Sequence, residues 1–377
     1  MVLLHVGACT RSSIDLLAAV VTNNALAQLG RESTFWDAML CAKGWRVEWD
    51  SGLSPKAFYA MCTRMSAHHR QYLTALTLTS TTIGAYAFYG CKSLALTALP
   101  PSLIEIRAYA FYGCKSLALT ALPPGVTVIE RKAFGKCTSL SPTALPPSLT
   151  IIGAHAFELC TSLALTALPP AVKRIEWFTF NRCELLALTA LPVGVTTIEK
   201  SAFEDCASLA LTALPPNVTT IKKSAFAGCT SLALTALPSS VTTINMFAFH
   251  NCKSLALRAL PPGVLHIDSA AFYGCKSLAV ASLPPHTACI GVAVFMGCTS
   301  LALTELPPDV KDIRRDAFNG CVSLALTALP SGVTTIGWHA FEGCTSLALT
   351  SLPPSLMHLG EGAFNDSSFP LDNAPHC

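Results

Sequence analysis

The side chains with the most chemical potential are cysteines, of which the chain has 17. Twelve of them, at positions 91, 114, 137, 160, 183, 206, 229, 252, 275, 298, 321 and 344, recur at a strict interval of 23 residues. Thiols can ligate a metal, pair as disulfides or attack as thiolates. Zinc ligation needs C-x-x-C or Cys/His clustering, and single cysteines spaced this widely have none. A disulfide ladder between successive copies is geometrically open, since neighbouring strands lie within bridging range. Pairing would, however, make the copies alternate in character, and they do not. What remains is a buried free thiol acting as a small hydrophobe, one per copy, which fits a reducing compartment at least as well as a secreted one.

The histidines offer no constellation. His68 and His69 fall at a junction before the repeats, and His155, His266, His339 and His358 fall where the copies vary, so solvated rings are expected rather than bases or ligands. There is no G-x-S-x-G, no phosphate-binding glycine loop and no H-E-x-x-H. Copies of constant length also leave no inserted loop in which an active site could sit. The sequence points to a protein without catalytic residues, cofactor or metal.

The elements that carry these cysteines are copies of one unit. Phe precedes each Cys by three residues, from Phe88 to Phe341 with Phe364 beyond, and Ile precedes it by eight, from Ile83 to Ile336, with Leu359 closing the series. Leu follows three and eight residues after the Cys, and Pro nine after. The unit reads I-x-x-x-A-F-x-x-C-x-S-L-A-L-T-A-L-P-P-x-V-T-x, in thirteen copies over roughly 73–371. One copy cannot bury its own apolar side chains and is stable only between neighbours. Stacking makes columns, typified by Ile106, Phe111, Cys114, Leu117 and Leu122, and each buried side chain contributes about 1.5–3 kcal/mol. At about 4.8 Å per copy, the array would be on the order of 60 Å long.

The unit resembles the BspA-type leucine-rich repeat, on the I-x-x-x-A-F-x-x-C-x-x-L block and the following segment ending in L-P. The resemblance implies an α/β-type repeat solenoid, right-handed, with one short strand per copy in a shared parallel sheet, and a scaffold used for protein recognition, surface display and adhesion. The expected organisation is a helical cap at 1–70, the solenoid at 71–371 and a tail at 372–377.

The exceptions indicate which residues of the expected L-A-L-T-A-L-P strand face inward. The sixth residue after Cys is Thr in most copies but Arg258 in one, and the seventh is small except for Glu305. A buried unpaired charge costs several kcal/mol, so both positions should face solvent, with the third, fifth and eighth inside. The common L-x-x-L-x-L template implies the reverse. It would place Leu96, Leu119 and Leu165 in an exposed apolar stripe.

Variation concentrates in two windows, the three residues after Ile and the two after Phe. Near-invariance elsewhere predicts that both face solvent. Either they have drifted after duplication or they form a mosaic for a partner. In the second reading Trp177, Phe178, Met246, Phe247, Trp338 and His339 are the candidate contacts, with aromatic anchors among them, for a protein partner or a surface glycan.

Residues 1–70 are not repetitive. Ser13, Ser33 and Ser54 can each cap a helix, which suits a cover for the first open end of the array. Residues 15–59, including Phe35-Trp36 and Lys43-Gly44-Trp45, are also similar to the later part of an F-box, which implies a substrate-recognition adaptor binding a Skp1-like protein in a ubiquitin ligase. Met1 to Ala8 lacks the basic start of a signal peptide, so the cytoplasm is the expected compartment, with the cell surface or secretion as the alternative.

Composition sets outer limits. The chain is 51% hydrophobic and only 12% charged, with a net charge of +3, and basic residues do not cluster along it. No nucleic-acid or anionic-membrane footprint is expected. Nor does any run reach the roughly 18 apolar residues of a spanning helix. The expected function is a non-enzymatic recognition scaffold.

Overall fold

A computed structural model describes residues 80–370. It contains thirteen strands of two residues each, from β1 (Thr82–Ile83) through β4 (Ile151–Ile152), β5 (Arg174–Ile175), β9 (His266–Ile267) and β10 (Cys289–Ile290) to β13 (His358–Leu359). Except at two breaks, successive strands pair in parallel and in register at the 23-residue offset, as in Ile83 with Ile106. Among the described residues there is no helix, so the array is a β-solenoid. The expected helical cap and the F-box-like segment 15–59 lie outside the described residues, as does the tail at 372–377.

The strand lies at the Ile column, not in L-A-L-T-A-L-P as the sequence suggested. In that segment Leu94, Leu96 and Leu99 all face the core, and the step of three between the last two breaks the alternation a continuous strand needs. Few backbone bonds join its copies, such as Ala118 N–H to Leu96 O at 3.3 Å. The burial order matches the one drawn from the exceptions, with Thr120, Arg258 and Glu305 exposed. Leu96, Leu119 and Leu165 are fully buried, which rules out the exposed stripe the template implied.

Between the strand and Cys the chain makes a tight turn with two residues at positive φ in every copy, five positions and one position before Cys. Glycine fills only some of these sites; Tyr86 (59°), Leu159 (60°) and Phe178 (55°) pay the left-handed cost instead. The strain is held by an alternating bond pattern. The amides of Tyr86, Phe88 and Gly90 donate forward to the carbonyls of Ala108, Ala110 and Tyr112, while those of Ala87, Tyr89 and Cys91 donate back within their own turn. The six amides from Tyr86 to Cys91 are thereby satisfied without helix or sheet.

Inside, the thirteen Phe rings form one nearly parallel stack with centroids 5.2 to 5.7 Å apart. Phe369 folds beneath Phe364 at 4.6 Å and closes the column. Ser368 secures that turn by donating to Leu347 O at 2.6 Å. The sheet is interrupted between β4 and β5 and between β9 and β10. At the second break Thr287 replaces the Val of the neighbouring copies (Val264 and Val310), and its hydroxyl donates to Pro284 O at 2.7 Å.

Candidate recognition surface

The twelve column cysteines are free and buried. From Cys114 to Cys344 each Sγ donates to the carbonyl oxygen of the Phe 26 residues earlier, as in Cys114 to Phe88 at 3.0 Å. Burial pushes the thiols of Cys91 and Cys344 up to about 12 and the others up as well. Thiols this far from ionisation are neither nucleophiles nor ready metal ligands. Among the described residues no group of His, Cys, Asp and Glu is placed to hold a metal.

The variable windows line the flank of the turn, but they are not uniformly exposed as predicted. The left-handed residue lays its side chain against its neighbours, so Ser201, Ser224 and Ala270 are buried, as are Asn181 and Ala227 in the second window. Trp177 and Trp338 stand out, 56% and 59% exposed. Phe178, Met246, Phe247 and His339 are half-buried. The six residues singled out from sequence thus occupy three separate places along the array, each joined to its own neighbours.

Phe178 stacks on His155 at 4.7 Å, and Lys200 Nζ lies 5.6 Å from the Phe178 ring. His155 is therefore not a solvated ring as expected. Its Nδ1 is 3.1 Å from Glu158 Oε2, and burial holds its pKa below the ordinary value. Phe247 meets His250 edge-on, and His250 stacks on Tyr273 at 4.7 Å. His339 Nδ1 lies 2.6 Å from Glu342 Oε2. Trp177 Nε1 donates to Glu199 Oε2 at 2.8 Å.

A further group was not singled out from sequence. Tyr86 stacks on Tyr109 at 4.8 Å and Tyr89 on Tyr112 at 5.3 Å. Lys132 Nζ lies 5.6 Å from the Tyr109 ring and Lys136 Nζ 5.2 Å from that of Tyr112, in the range of a cation over a ring face. The signal was present in two successive copies of Ala-Tyr-Ala-Phe-Tyr-Gly-Cys, which bring like rings together one turn apart. Charge is also uneven along the array. Residues 80–151 hold six Lys or Arg against two acidic residues, while residues 152–370 hold twelve against fourteen.

The strand face is plainer. Ile104, Ile151 and Leu265 are exposed there singly, among threonines such as Thr81, Thr150 and Thr242.

A family model described as the BspA type leucine rich repeat region matches residues 64–187, 152–279 and 265–374. Among solved structures, a leucine rich cell surface protein from Faecalibacterium prausnitzii is 28% identical, with 75% of this chain and 84% of that one covered and a TM-score of 0.50. A leucine-rich repeat protein from Bacteroides ovatus is 26% identical over 76% of this chain and 80% of that one, with a TM-score of 0.49. No curated protein matches the chain.

Proposed function

The chain belongs to the BspA-type leucine-rich repeat family, and on that premise we propose that it is a non-enzymatic recognition scaffold whose ligand surface is the flank of the turns. The observation that carries this is Trp177, a large exposed aromatic fixed in place by a carboxylate from the next copy. A fixed aromatic contributes contact area at low ordering cost. The strand face and the Ala/Thr face offer mostly small side chains.

The test is a graft. Replacing the windows of the first five described copies with the Lys222-Lys223-Ser224 and Ala227-Gly228 windows should abolish capture on combined protein and glycan arrays. Replacing exposed Thr120, Thr143 and Thr166 with Asp should leave it unchanged. The reverse pattern moves the ligand surface to the Ala/Thr face. Surface display, and adhesion with it, is supported by the description of the Faecalibacterium relative as a cell surface protein, and fractionation of the native host separates it from a cytoplasmic location.

A further inference from the structure

Two residues after Ile, the flank carries Arg131, Ala154 and Trp177 in three consecutive copies. The small middle residue leaves a notch lined by Arg131, Ala154, His155, Glu176 and Trp177. Copies stack about 4.8 Å apart, so the two walls stand about 10 Å apart, room for one ring in contact with the indole at about 3.5–4.0 Å.

Both walls are prepared for a ligand. Trp177 is held through Nε1 by Glu199, whose other oxygen lies 3.7 Å from Arg174 Nη2, and Arg174 Nε holds Glu176 Oε1 at 3.0 Å. The indole is thus ordered before anything binds. On the opposite wall Arg131 is exposed, and among the described residues its guanidinium has no carboxylate partner; the adjacent Glu130 carboxylate accepts the Ala108 amide at 2.8 Å. Beyond Arg131, Lys132 and Lys136 continue the positive charge towards the tyrosine stacks.

We propose that this notch binds a carboxylate-bearing sugar residue of a glycan. The C–H face of the pyranose rests on Trp177, hydroxyls bond to Glu176, and the carboxylate pairs with Arg131 in the two-pronged geometry guanidinium favours. An aromatic protein side chain fits less well. The floor is Ala154 and His155, open and flanked by charge, whereas an aromatic anchor requires a desolvated apolar pocket. A sugar keeps its outer hydroxyls in water. The proposal rests on the scaffold reading above and names its ligand class.

The test titrates the full chain with trigalacturonate, with its neutral methyl ester and with 3′-sialyllactose, followed by calorimetry and the Trp177 indole N–H resonance. At least one acidic sugar should bind and shift that resonance, with the ester at least tenfold weaker than trigalacturonate if the uronide is the ligand. The preferred acid identifies the source of the carboxylate. Arg131→Gln should cut affinity for that acid about tenfold, and both Trp177→Ala and the notch-filling Ala154→Trp should abolish binding with thermal unfolding unchanged. Equal binding of all variants, or no binding of either acid, overturns the proposal. If no acidic sugar binds but Ala154→Trp abolishes capture of a protein on the arrays, the ligand class falls and the scaffold reading stands; if no notch or window variant alters any capture, both fall.

Discussion

The thiol of Cys206 donates to the carbonyl oxygen of Phe180, 26 residues earlier and 3.0 Å away, and the same oxygen accepts the amide of Cys183 at 3.0 Å. One acceptor therefore ties a turn to itself and to the next copy. Cys206→Ala removes the second bond and leaves a small void, so it should cost about 1–2 kcal/mol. Urea denaturation would read this as a lower midpoint with little change in slope.

Burial of the same column predicts a labelling pattern. Native protein treated with iodoacetamide at pH 8 should be modified at Cys289, which is half-exposed beside Arg314, well before any of the twelve column thiols. In urea all thirteen should react. Peptide mass spectrometry checks both, and early labelling of Cys206 or Cys229 in native protein would show that the column opens.

Phe226 stacks between Phe203 and Phe249 at 5.6 Å on either side. Phe226→Ala should cost about 3–5 kcal/mol. Because each copy touches only its neighbours, hydrogen exchange should accelerate around residues 200–250 and remain near wild-type rates around Phe111 and Phe341.

Stability should fall in mild acid. Burial holds His155 below 6.5 against the pull of Glu158, with Lys132 and Arg131 also lowering it, and burial does the same to His250 against Asp205 and Glu204. The unfolded chain therefore takes up these protons first as pH drops. Stability holds above 6.5, declines below it and levels off once the folded rings titrate. The urea midpoint should be lower at pH 5.5 than at pH 7.5, and a His155→Gln, His250→Gln variant should show a smaller difference.

The periodic residues were legible in the sequence, because a column needs only a period, and Ile83, Phe88, Cys91 and Leu94 keep theirs. Inside and outside could be read as well, since Arg258 and Glu305 mark faces where a charge is tolerated. The strand was misplaced because two paired residues leave no alternation to detect, while Leu-Ala-Leu imitates one. The windows were legible as variable but not as half-buried, since the φ of residues such as Ser201 and Ser224 turns their side chains inward. The tyrosine group and the Arg131–Trp177 notch depend on which side chains meet across copies. Only the stacked register reveals that, including the role of Ala154, whose importance lies in being small.

Trp177 and Trp338 occupy the same place in their units, seven units apart. Uniform copy length makes the array a graduated ruler, and the two indoles are marks on it about 34 Å apart at 4.8 Å per unit. A ligand long enough to touch both would bind with an effective concentration set by that span. Gain or loss of one whole unit between them would then retune avidity in steps of about 4.8 Å without altering a single contact.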